Sequence, residues 1–298
     1  MDTFFLCLAN SYKHGGRCIA GVELSEWKDS IKIICHSNGA PKWIRPISRD
    51  TDAGAIPNEV AITIGVMDVV MLLDVEKCPA GAQCENVYFS KIINIGKSFD
   101  KYPSLLDGFV DNNQKQIFYN HGKAVKPDIY NLRGDHSILL IKTENSEVYG
   151  DTTYTDYPRF RVKFFYKGDC YDFPITDPYY IQGLREKKIE LGSKDTLYIT
   201  CSLGVVHEGW HPKLAACIIE PIEEIHTIDK SNKQEKAYSV EEIRKTHNLA
   251  YAKWTLEADS ELGLLYEQGW SIEQLMEHFG RNEGGIRSRL KKIGKIPF

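Results

Sequence analysis

Two cations flank a glycine pair directly after the first hydrophobic segment, in the order Lys13, His14, Gly15, Gly16 and Arg17. Glycine lets the backbone turn tightly and approach an anion, because it has no side chain. Successive backbone amides in such a turn can form an anion-binding concavity, and the two cations add charge. The spacing therefore predicts a phosphate-binding loop with Lys13 and Arg17 as its charged residues, and an ordinary turn is the alternative.

An aromatic and a basic residue, Trp43 and Arg45, lie two positions apart in a short apolar segment. Side chains two apart in a strand point to the same face of a sheet. A ring beside a cation can stack on a base and neutralise its phosphate in proteins that bind single strands. We therefore predict that Trp43 and Arg45 contact nucleic acid, with Trp43 as a core residue as the alternative.

A basic row, Arg159, Arg161 and Lys163, alternates with the apolar residues Phe160, Val162 and Phe164. This period of two predicts a strand with one face in solvent. Tyrosines are interleaved with the predicted basic sites at Tyr12, Tyr157 and Tyr166. Rings and cations together predict a groove for a single-stranded nucleic acid, and a solvated sheet face is the alternative for the basic row.

Two aspartates, Asp172 and Asp177, flank a Phe-Pro-Ile-Thr segment and raise the question of catalysis. With Lys163 they are the residue types of a metal-dependent nuclease site, and two carboxylates can hold Mg²⁺ together with water and substrate phosphates. Asp177 also precedes Pro178, which suits a turn or a helix N-cap. Because no third acid lies at a telling spacing, the sequence favours a non-enzymatic protein. A metal-dependent enzyme that acts on nucleic acid or nucleotides is the alternative.

Other signals for cofactors and metals are weak. His207 and His211 have a zinc-binding spacing only on a helix, and Gly209 between them disfavours a helix. The eight cysteines include no Cys-x-x-Cys pair. The chain has no P-loop, no nucleophile elbow and no dinucleotide fingerprint. We therefore expect no cofactor and no metal.

The C-terminal end is basic although the whole chain is acidic. The formal net charge is -4, from 37 Lys and Arg against 41 Asp and Glu. Residues 281–298 contain one acid, Glu283, and these basic residues: Arg281, Arg287, Arg289, Lys291, Lys292 and Lys295. A basic end on an acidic body predicts a polyanionic partner, and a solvated helix face is the alternative.

Short apolar segments bounded by Gly, Pro, Asn and Ser occupy the first two thirds of the chain. They predict strands at 4–9, 31–36, 43–47, 66–75 and 87–95, and again at 137–143, 160–166, 169–173, 196–202 and 214–219. Five strands in each half, with few helical segments, favour two small β barrels over one sheet with crossover helices.

The period becomes helical from residue 255 onward. Thr255 begins the first predicted helix, Ser271 and Gln274 form the capping box of the second, and Asn282 caps the third. Three compact helices with a tight turn before a basic third helix form the layout of a helix-turn-helix. The chain is therefore predicted to end in an all-α domain.

The C-terminal segment resembles the Myb-like and sigma-like helix-turn-helix modules of many bacterial proteins. The resemblance covers residues 250–296, through WTLEAD at 254–259 and GRNEGGIRSRLKK at 280–292. It implies that the third helix enters the major groove of duplex DNA. The matching outward positions are Arg281, Asn282, Arg287, Ser288, Arg289 and Lys292. The nucleic-acid contacts that we predict on this segment are Arg281, Asn282, Arg287, Arg289, Lys291 and Lys292. A trihelical module that binds protein is the alternative.

Residues 3–220 resemble the bacterial dual OB-fold domain family. The matching motifs are LANSYKHGGRCIAG at 8–21, WIRPIS at 43–48, ENV at 85–87, YDFPITDP at 171–178 and SLG at 202–204. The resemblance implies two tandem OB barrels, a fold that commonly binds oligonucleotides. It implies no reaction.

The predicted organisation combines these elements. It comprises a first OB-like barrel at 1–96, an irregular connection at 97–135, a second OB-like barrel at 136–228, a linker with a short helix at 229–250 and a helix-turn-helix at 251–298. We interpret the chain as a nucleic-acid-binding protein, with barrels for single strands or ends and helices for duplex DNA, in a bacterial defence or DNA-processing system. DNA is the expected partner and RNA an alternative, as is a protein-interaction adaptor.

The sequence gives no sign of a membrane segment. The longest apolar run, at 66–73, is interrupted by Asp68 and is far shorter than the roughly 20 residues that cross a bilayer. The first residues carry no basic segment and no signal cleavage site. We expect a cytoplasmic protein without membrane contact.

Overall fold

The computed structural model describes residues 2–28, 30–51, 53–129, 136–153, 158–222, 254–281 and 283–296. These residues belong to two compact units, one within 1–225 and one within 226–298. The predicted linker at 229–250, together with Tyr157 and Asn282, lies outside the described residues.

The N-terminal part of the first unit is a β sheet. Its strands are β1 (Thr3–Lys13), β2 (Gly16–Glu26), β3 (Lys32–Ile33), β4 (Trp43–Pro46), β5 (Asp68–Leu73), β6 (Glu76–Lys77), β7 (Asn86–Tyr88) and β8 (Lys91–Ser98). Their order is β6-β7-β4-β2-β1-β5-β8, with β3 beside β2. β4 and β7 run parallel, and β1 pairs antiparallel with both β2 and β5. Two short helices accompany the sheet, α1 (Asn58–Ala61) and α2 (Pro103–Leu106).

The β1–β2 hairpin determines how this sheet begins. Its register pairs Lys13 with Gly16, and Gly15 adopts a φ of 81°, which glycine tolerates. Gly21 packs so closely on β1 that a Cβ would lie 1.8 Å from the Leu6 carbonyl oxygen. The apolar pattern predicted part of β1, at 4–9, but not β2, because glycines and charges interrupt the apolar pattern of β2. The predicted phosphate-binding loop is the tight turn of this hairpin.

The second sheet follows an irregular connection. Its strands are β9 (Ala124–Val125), β10 (Ile138–Asp151), β11 (Arg159–Tyr166), β12 (Asp169–Pro174), β13 (Gly192–Leu203) and β14 (His211–Ile219), and α3 (Pro178–Arg185) precedes β13. The strand order is β12-β11-β10-β13-β14-β9. A parallel bridge between Ile175 and Ala215 joins the chain after β12 to β14. The sheet therefore curls on itself, as the strands of a barrel do.

The two sheets share a hydrophobic core. Leu6 and Leu8 of the first sheet cluster with Leu140 and Tyr198 of the second. The Thr200 hydroxyl also donates to the Leu8 carbonyl oxygen at 2.6 Å. Because apolar burial is the main favourable term in folding, this shared cluster holds the sheets together as one unit.

The second unit contains three helices in its described residues: α4 (Leu256–Glu267), α5 (Ile272–Phe279) and α6 (Glu283–Lys292). The caps predicted at Thr255 and Ser271 are confirmed, and the Ser271 capping box is complete. Ile286 and Leu290 are fully buried, as the helical period predicts. Gly280 ends α5 in the left-handed conformation, with a φ of 58°. None of the helices in the described ranges is long and apolar enough to cross a membrane.

Candidate nucleic-acid interface

Two exposed tyrosine rings and one guanidinium meet beside the β1–β2 turn. The Arg17 Cζ lies 4.6 Å from the centroid of the Tyr12 ring and 5.9 Å from that of the Tyr179 ring. Tyr12 is 52% exposed and Tyr179 is 42% exposed. The Arg17 Nε donates to Asn58 Oδ1 at 3.0 Å, which fixes the guanidinium. We call these three side chains the Tyr12–Arg17–Tyr179 surface.

Both sheets position this surface. The Tyr12 N–H, near the end of β1, donates to the Thr176 carbonyl oxygen at 2.8 Å and so ties the hairpin to the second sheet. Tyr179 lies in the first turn of α3, where its N–H donates to an Asp177 carboxylate oxygen at 3.0 Å. The N-cap predicted at Asp177 is therefore confirmed. Tyr179 was not among the predicted site residues. The N-cap signal at Asp177 nevertheless marks the start of α3, the helix that carries the Tyr179 ring.

The surface combines the groups that hold a single nucleic-acid strand. Tyrosine rings stack on bases, and a guanidinium donates to phosphate oxygens. The Arg17 Nη1 is buried and has no hydrogen-bond partner within the described part of the chain. Lys13 precedes the same turn and is half-buried, and this burial lowers its pKa. Of the two cations predicted here, Arg17 is the one that contacts exposed rings.

Trp43 and Arg45 do not form the exposed pair that the sequence predicted. All four residues of β4 are buried, and Trp43 is 6% exposed within the shared core. Arg45 is 1% exposed, and its guanidinium donates to Asn86 Oδ1 at 3.3 Å and to Ser137 Oγ at 2.9 Å. The Ser137 hydroxyl donates in turn to the Glu85 carboxylate at 3.0 Å. This correction assigns Trp43 to packing and Arg45 to a buried network.

The basic row on β11 shares one face, as predicted, but acids accompany it. The Arg161 Nε donates to Asp172 at 2.8 Å, and Lys123 donates to the same carboxylate at 3.1 Å. Burial alone would raise the pKa of Asp172, but these cations hold it below its usual range. In the sheet register, Arg159 stands opposite Asp151, and Lys163 stands opposite Glu147. The row is therefore a charge-compensated sheet face with little excess positive potential.

The aspartates considered for catalysis have structural partners. Asp172 pairs with Arg161 and Lys123, and Asp177 caps α3 while also accepting from the Ile218 N–H at 3.3 Å. Burial raises the pKa of Asp177 despite these backbone bonds. Among the residues that the structure describes, no group of three or more His, Cys, Asp or Glu side chains is arranged to hold a metal ion.

Two other predicted sites also have structural explanations. The segment from His207 to Trp210 is a turn closed by their backbone hydrogen bonds, and Gly209 has a φ of 80°. The pair with His211 is therefore not helical, as Gly209 indicated. Tyr166 is 5% exposed and donates its hydroxyl to the Gln114 carbonyl oxygen at 2.9 Å. Tyr166 is thus a core residue and offers no ring to a base, which corrects the prediction.

The basic residues of the C-terminal unit divide into two groups. Arg281 is 8% exposed, with its Cζ 4.2 Å from the Trp254 ring centroid. The Arg289 guanidinium pairs through two nitrogens with the Asp259 carboxylate. Arg287 is exposed and pairs with Glu283 one turn earlier at 2.7 Å.

Two further basic residues of α6, Lys291 and Lys292, have side chains at least partly in solvent. Lys292 is exposed and Lys291 half-exposed, and neither forms an ion pair with another described side chain. The outward basic face of α6 therefore consists of Arg287, Lys291 and Lys292. We call these three side chains the α6 basic face. Arg281 and Arg289 are held inside the unit by an aromatic ring and an acid.

Several solved structures are loosely similar to this chain. A murine DNA-binding protein bound to double-stranded DNA is 6% identical, with a TM-score of 0.31 and coverage of 74% of this chain and 95% of that chain. The Ifi202 HINa domain in complex with 20-base-pair DNA is 6% identical, with a TM-score of 0.28 and coverage of 70% and 89%. A replication protein A heterotrimer bound to single-stranded DNA is 9% identical, with a TM-score of 0.27 and coverage of 68% and 44%.

The sequence itself gives a more specific match. Residues 4–218 match the family described as the dual OB-containing domain. The matched range begins in β1 and ends in β14, so it takes in both sheets. No curated protein matches the chain.

Proposed function

The chain belongs to the dual OB-containing domain family, and from this premise we propose that it binds single-stranded nucleic acid on the Tyr12–Arg17–Tyr179 surface. The observation that carries the proposal is a guanidinium that lies within 5.9 Å of the centroids of two exposed tyrosine rings. Rings with exposed faces stack on any base, and a fixed guanidinium adds a phosphate contact. The expected ligand is therefore a strand without a required sequence.

Burial supports this choice of surface over the other predicted basic sites. Exposed aromatic rings on a soluble protein lose favourable contacts with the core, so a cluster of them beside a cation marks a binding surface. Trp43 and Tyr166 are buried, and the β11 row is compensated by acids. Of the basic sites that the sequence predicted in the first unit, the one at Arg17 is therefore the one at which the structure combines ring exposure with positive charge.

The test is a fluorescence anisotropy titration of a labelled single-stranded oligonucleotide with the full chain. Stacking on one aromatic side chain contributes about 1–3 kcal/mol per base, so Tyr12→Ala and Tyr179→Ala should each raise Kd about 5- to 150-fold. Phe165→Ala is the matched control, because Phe165 is 53% exposed and lies on β11. Equal affinity of all three variants and the unaltered chain would refute the proposal, provided that their thermal melts coincide.

We further propose that the second unit binds duplex DNA through the α6 basic face, as a helix-turn-helix does. Three outward cations support this proposal, whereas the sequence alone suggested six contact residues. Neutralising about three phosphates predicts a slope of log K against log salt near -2.7. Lys292→Ala should flatten this slope by about 0.9 for duplex DNA and leave the single-strand slope unchanged. An unchanged duplex slope would contradict the assignment.

The proposed biological setting combines the two activities. A protein with one surface for single-stranded nucleic acid and a second unit for duplex DNA is suited to substrates that contain both forms. Resected ends and stalled junctions are examples. We infer that the protein acts in DNA processing or in bacterial defence against foreign DNA. Tighter binding to a duplex with a single-stranded tail than to either part alone is the expected result in the same titration.

A further inference from the structure

A large cavity lies in the first unit, away from the Tyr12–Arg17–Tyr179 surface. Its volume is about 1090 Å³, and its lining includes Glu23 of β2, Trp43 of β4, Asn86 of β7 and Gln114 of the connection between the sheets. Pockets for small molecules are commonly about 300–1,000 Å³. The space is therefore sufficient for a ligand the size of a nucleoside.

Side-chain amides are prominent in the cavity wall. Those that line it are Asn38, Asn86, Asn113, Gln114 and Gln116. An amide presents a donor and an acceptor side by side, which matches the paired donors and acceptors on the edge of a nucleobase. The wall is therefore suited to a planar ligand with mixed hydrogen-bonding groups.

Several charges in the wall already have partners. Lys42 donates to Glu23 at 2.8 Å, and the Glu85 carboxylate accepts from the Ser137 hydroxyl at 3.0 Å. The Lys167 ammonium donates to the backbone carbonyl oxygens of Asn112 and Gln114, each at 2.7 Å. Lys42 is therefore neutralised by an acid, whereas Lys167 keeps its charge, and Lys77 and Lys115 add two further cations to the lining.

Two buried polar atoms of the wall lack partners. The Trp43 Nε1 donor and the Gln114 Oε1 acceptor have no hydrogen-bond partner among the described residues. Buried polar groups are normally satisfied, and an unsatisfied one is costly. Here one donor and one acceptor belong to side chains that line the same cavity. A ligand that reached both atoms would need an acceptor for the Trp43 N–H and a donor for the Gln114 carbonyl oxygen.

We propose that this cavity binds a nucleobase. A nucleobase is planar and uncharged, and it offers an acceptor for the Trp43 indole N–H together with a donor for the Gln114 carbonyl oxygen. The base can come from a free nucleoside or from an unstacked position of a bound strand. The free-nucleoside site does not depend on the proposed function of the Tyr12–Arg17–Tyr179 surface, so either proposal can fail alone.

The test is isothermal titration of the full chain with adenosine, guanosine, cytidine and uridine, and with ribose as the sugar control. We expect at least one nucleoside to bind and ribose not to bind. Trp43→Phe keeps a ring but removes the N–H, and Gln114→Leu removes the amide. Each should weaken nucleoside binding about 3- to 10-fold, the usual effect of one hydrogen bond. Trp27→Phe is the matched control, because Trp27 packs on Phe4 and does not line the cavity.

The source of the base is resolved by a second titration with a short single-stranded oligonucleotide. If a strand inserts a base, nucleoside should compete with the oligonucleotide, and Trp43→Phe should weaken both ligands. If only free nucleoside binds, Trp43→Phe leaves oligonucleotide affinity unchanged while nucleoside affinity falls. Absence of nucleoside binding, equal binding of ribose, or equal effects of Trp43→Phe and Trp27→Phe would overturn the proposal. Thermal melts of each variant identify any loss due to unfolding.

Discussion

Two buried cations of the first unit and two exposed cations of the second unit lie in contrasting environments. In the first unit, Arg45 is 1% exposed and Lys213 is fully buried, and both donate to fixed oxygens inside the protein. In the second unit, Arg287 and Lys292 lie exposed on α6. Positive charge in a sequence therefore does not by itself indicate a nucleic-acid contact. The buried cations should affect unfolding and its pH dependence, and the exposed cations should affect salt dependence.

The largest effect is expected from Arg45. Removing one member of a buried charged network leaves polar groups without partners, so Arg45→Ala should lower the free energy of unfolding by about 3–5 kcal/mol. Urea denaturation measures this change. Arg49→Ala is the control, because Arg49 pairs with Glu76 at the surface and should contribute less than about 1 kcal/mol. Similar losses for both variants would contradict the distinction between buried and exposed cations.

Lys213 should make the stability of the chain depend on pH. Its ammonium donates to the carbonyl oxygens of Ile117 and Asn120, at 2.5 and 2.7 Å, and its burial lowers its pKa from 10.5 to about 7. Between these two values the unfolded chain holds a proton that the folded chain has released. Stability should therefore rise with pH from about 7 to about 10, by at most about 1.4 kcal/mol per pH unit from this group.

The difference between variants isolates that contribution. Lys213→Met should remove the rise in unfolding free energy over this pH range, measured by urea denaturation at a series of pH values. Lys123→Met is the control, because the Lys123 side chain is 71% exposed and should follow the unaltered chain. Parallel curves for Lys213→Met and the unaltered chain would show that Lys213 keeps its ordinary pKa.

The smallest effects are expected within the second unit. There, one substitution should change stability and another should change the salt dependence of duplex binding. Arg289→Ala removes the pairing with Asp259 and should lower the melting temperature of this unit, with little change in the salt dependence of duplex binding. Lys292→Ala should do the reverse, because a surface substitution changes stability by less than about 0.5 kcal/mol. Calorimetry and salt titrations measure the two responses. A salt slope that depends on Arg289 as strongly as on Lys292 would place Arg289 at the interface.

Local signals in the sequence predicted much of the fold. The alternation on β11 and the helix caps at Thr255, Ser271 and Asp177 depend on residues close together in the chain, so they could be read directly. β2 was not predicted, because Gly21 interrupts its apolar pattern. A glycine is required at this position by close packing on β1, and the local sequence does not show that contact. Apolar patterning thus missed a strand where a glycine serves a tertiary contact, and it also missed the two-residue strands β6 and β9, which are too short to show a period.

The candidate site was less predictable, because exposure and charge pairing depend on distant residues. A period of two shows that Trp43 and Arg45 share a face, but both faces of β4 are buried. The partner of Arg289 is 30 residues away, and Tyr179 meets Arg17 through a contact between the two sheets. Such relationships arise from tertiary structure and leave no local pattern.

The shared core has a consequence for how this protein can be divided. Since Leu6 and Leu8 pack with Leu140 and Tyr198, a fragment that ends before the second sheet would expose the apolar residues that the second sheet normally covers. Each OB-like half therefore lacks part of its own interior, and the two halves should unfold in a single cooperative transition. We therefore expect the two OB-like halves to fold only together. In evolution, the two halves should likewise pass from one protein to another as a single piece.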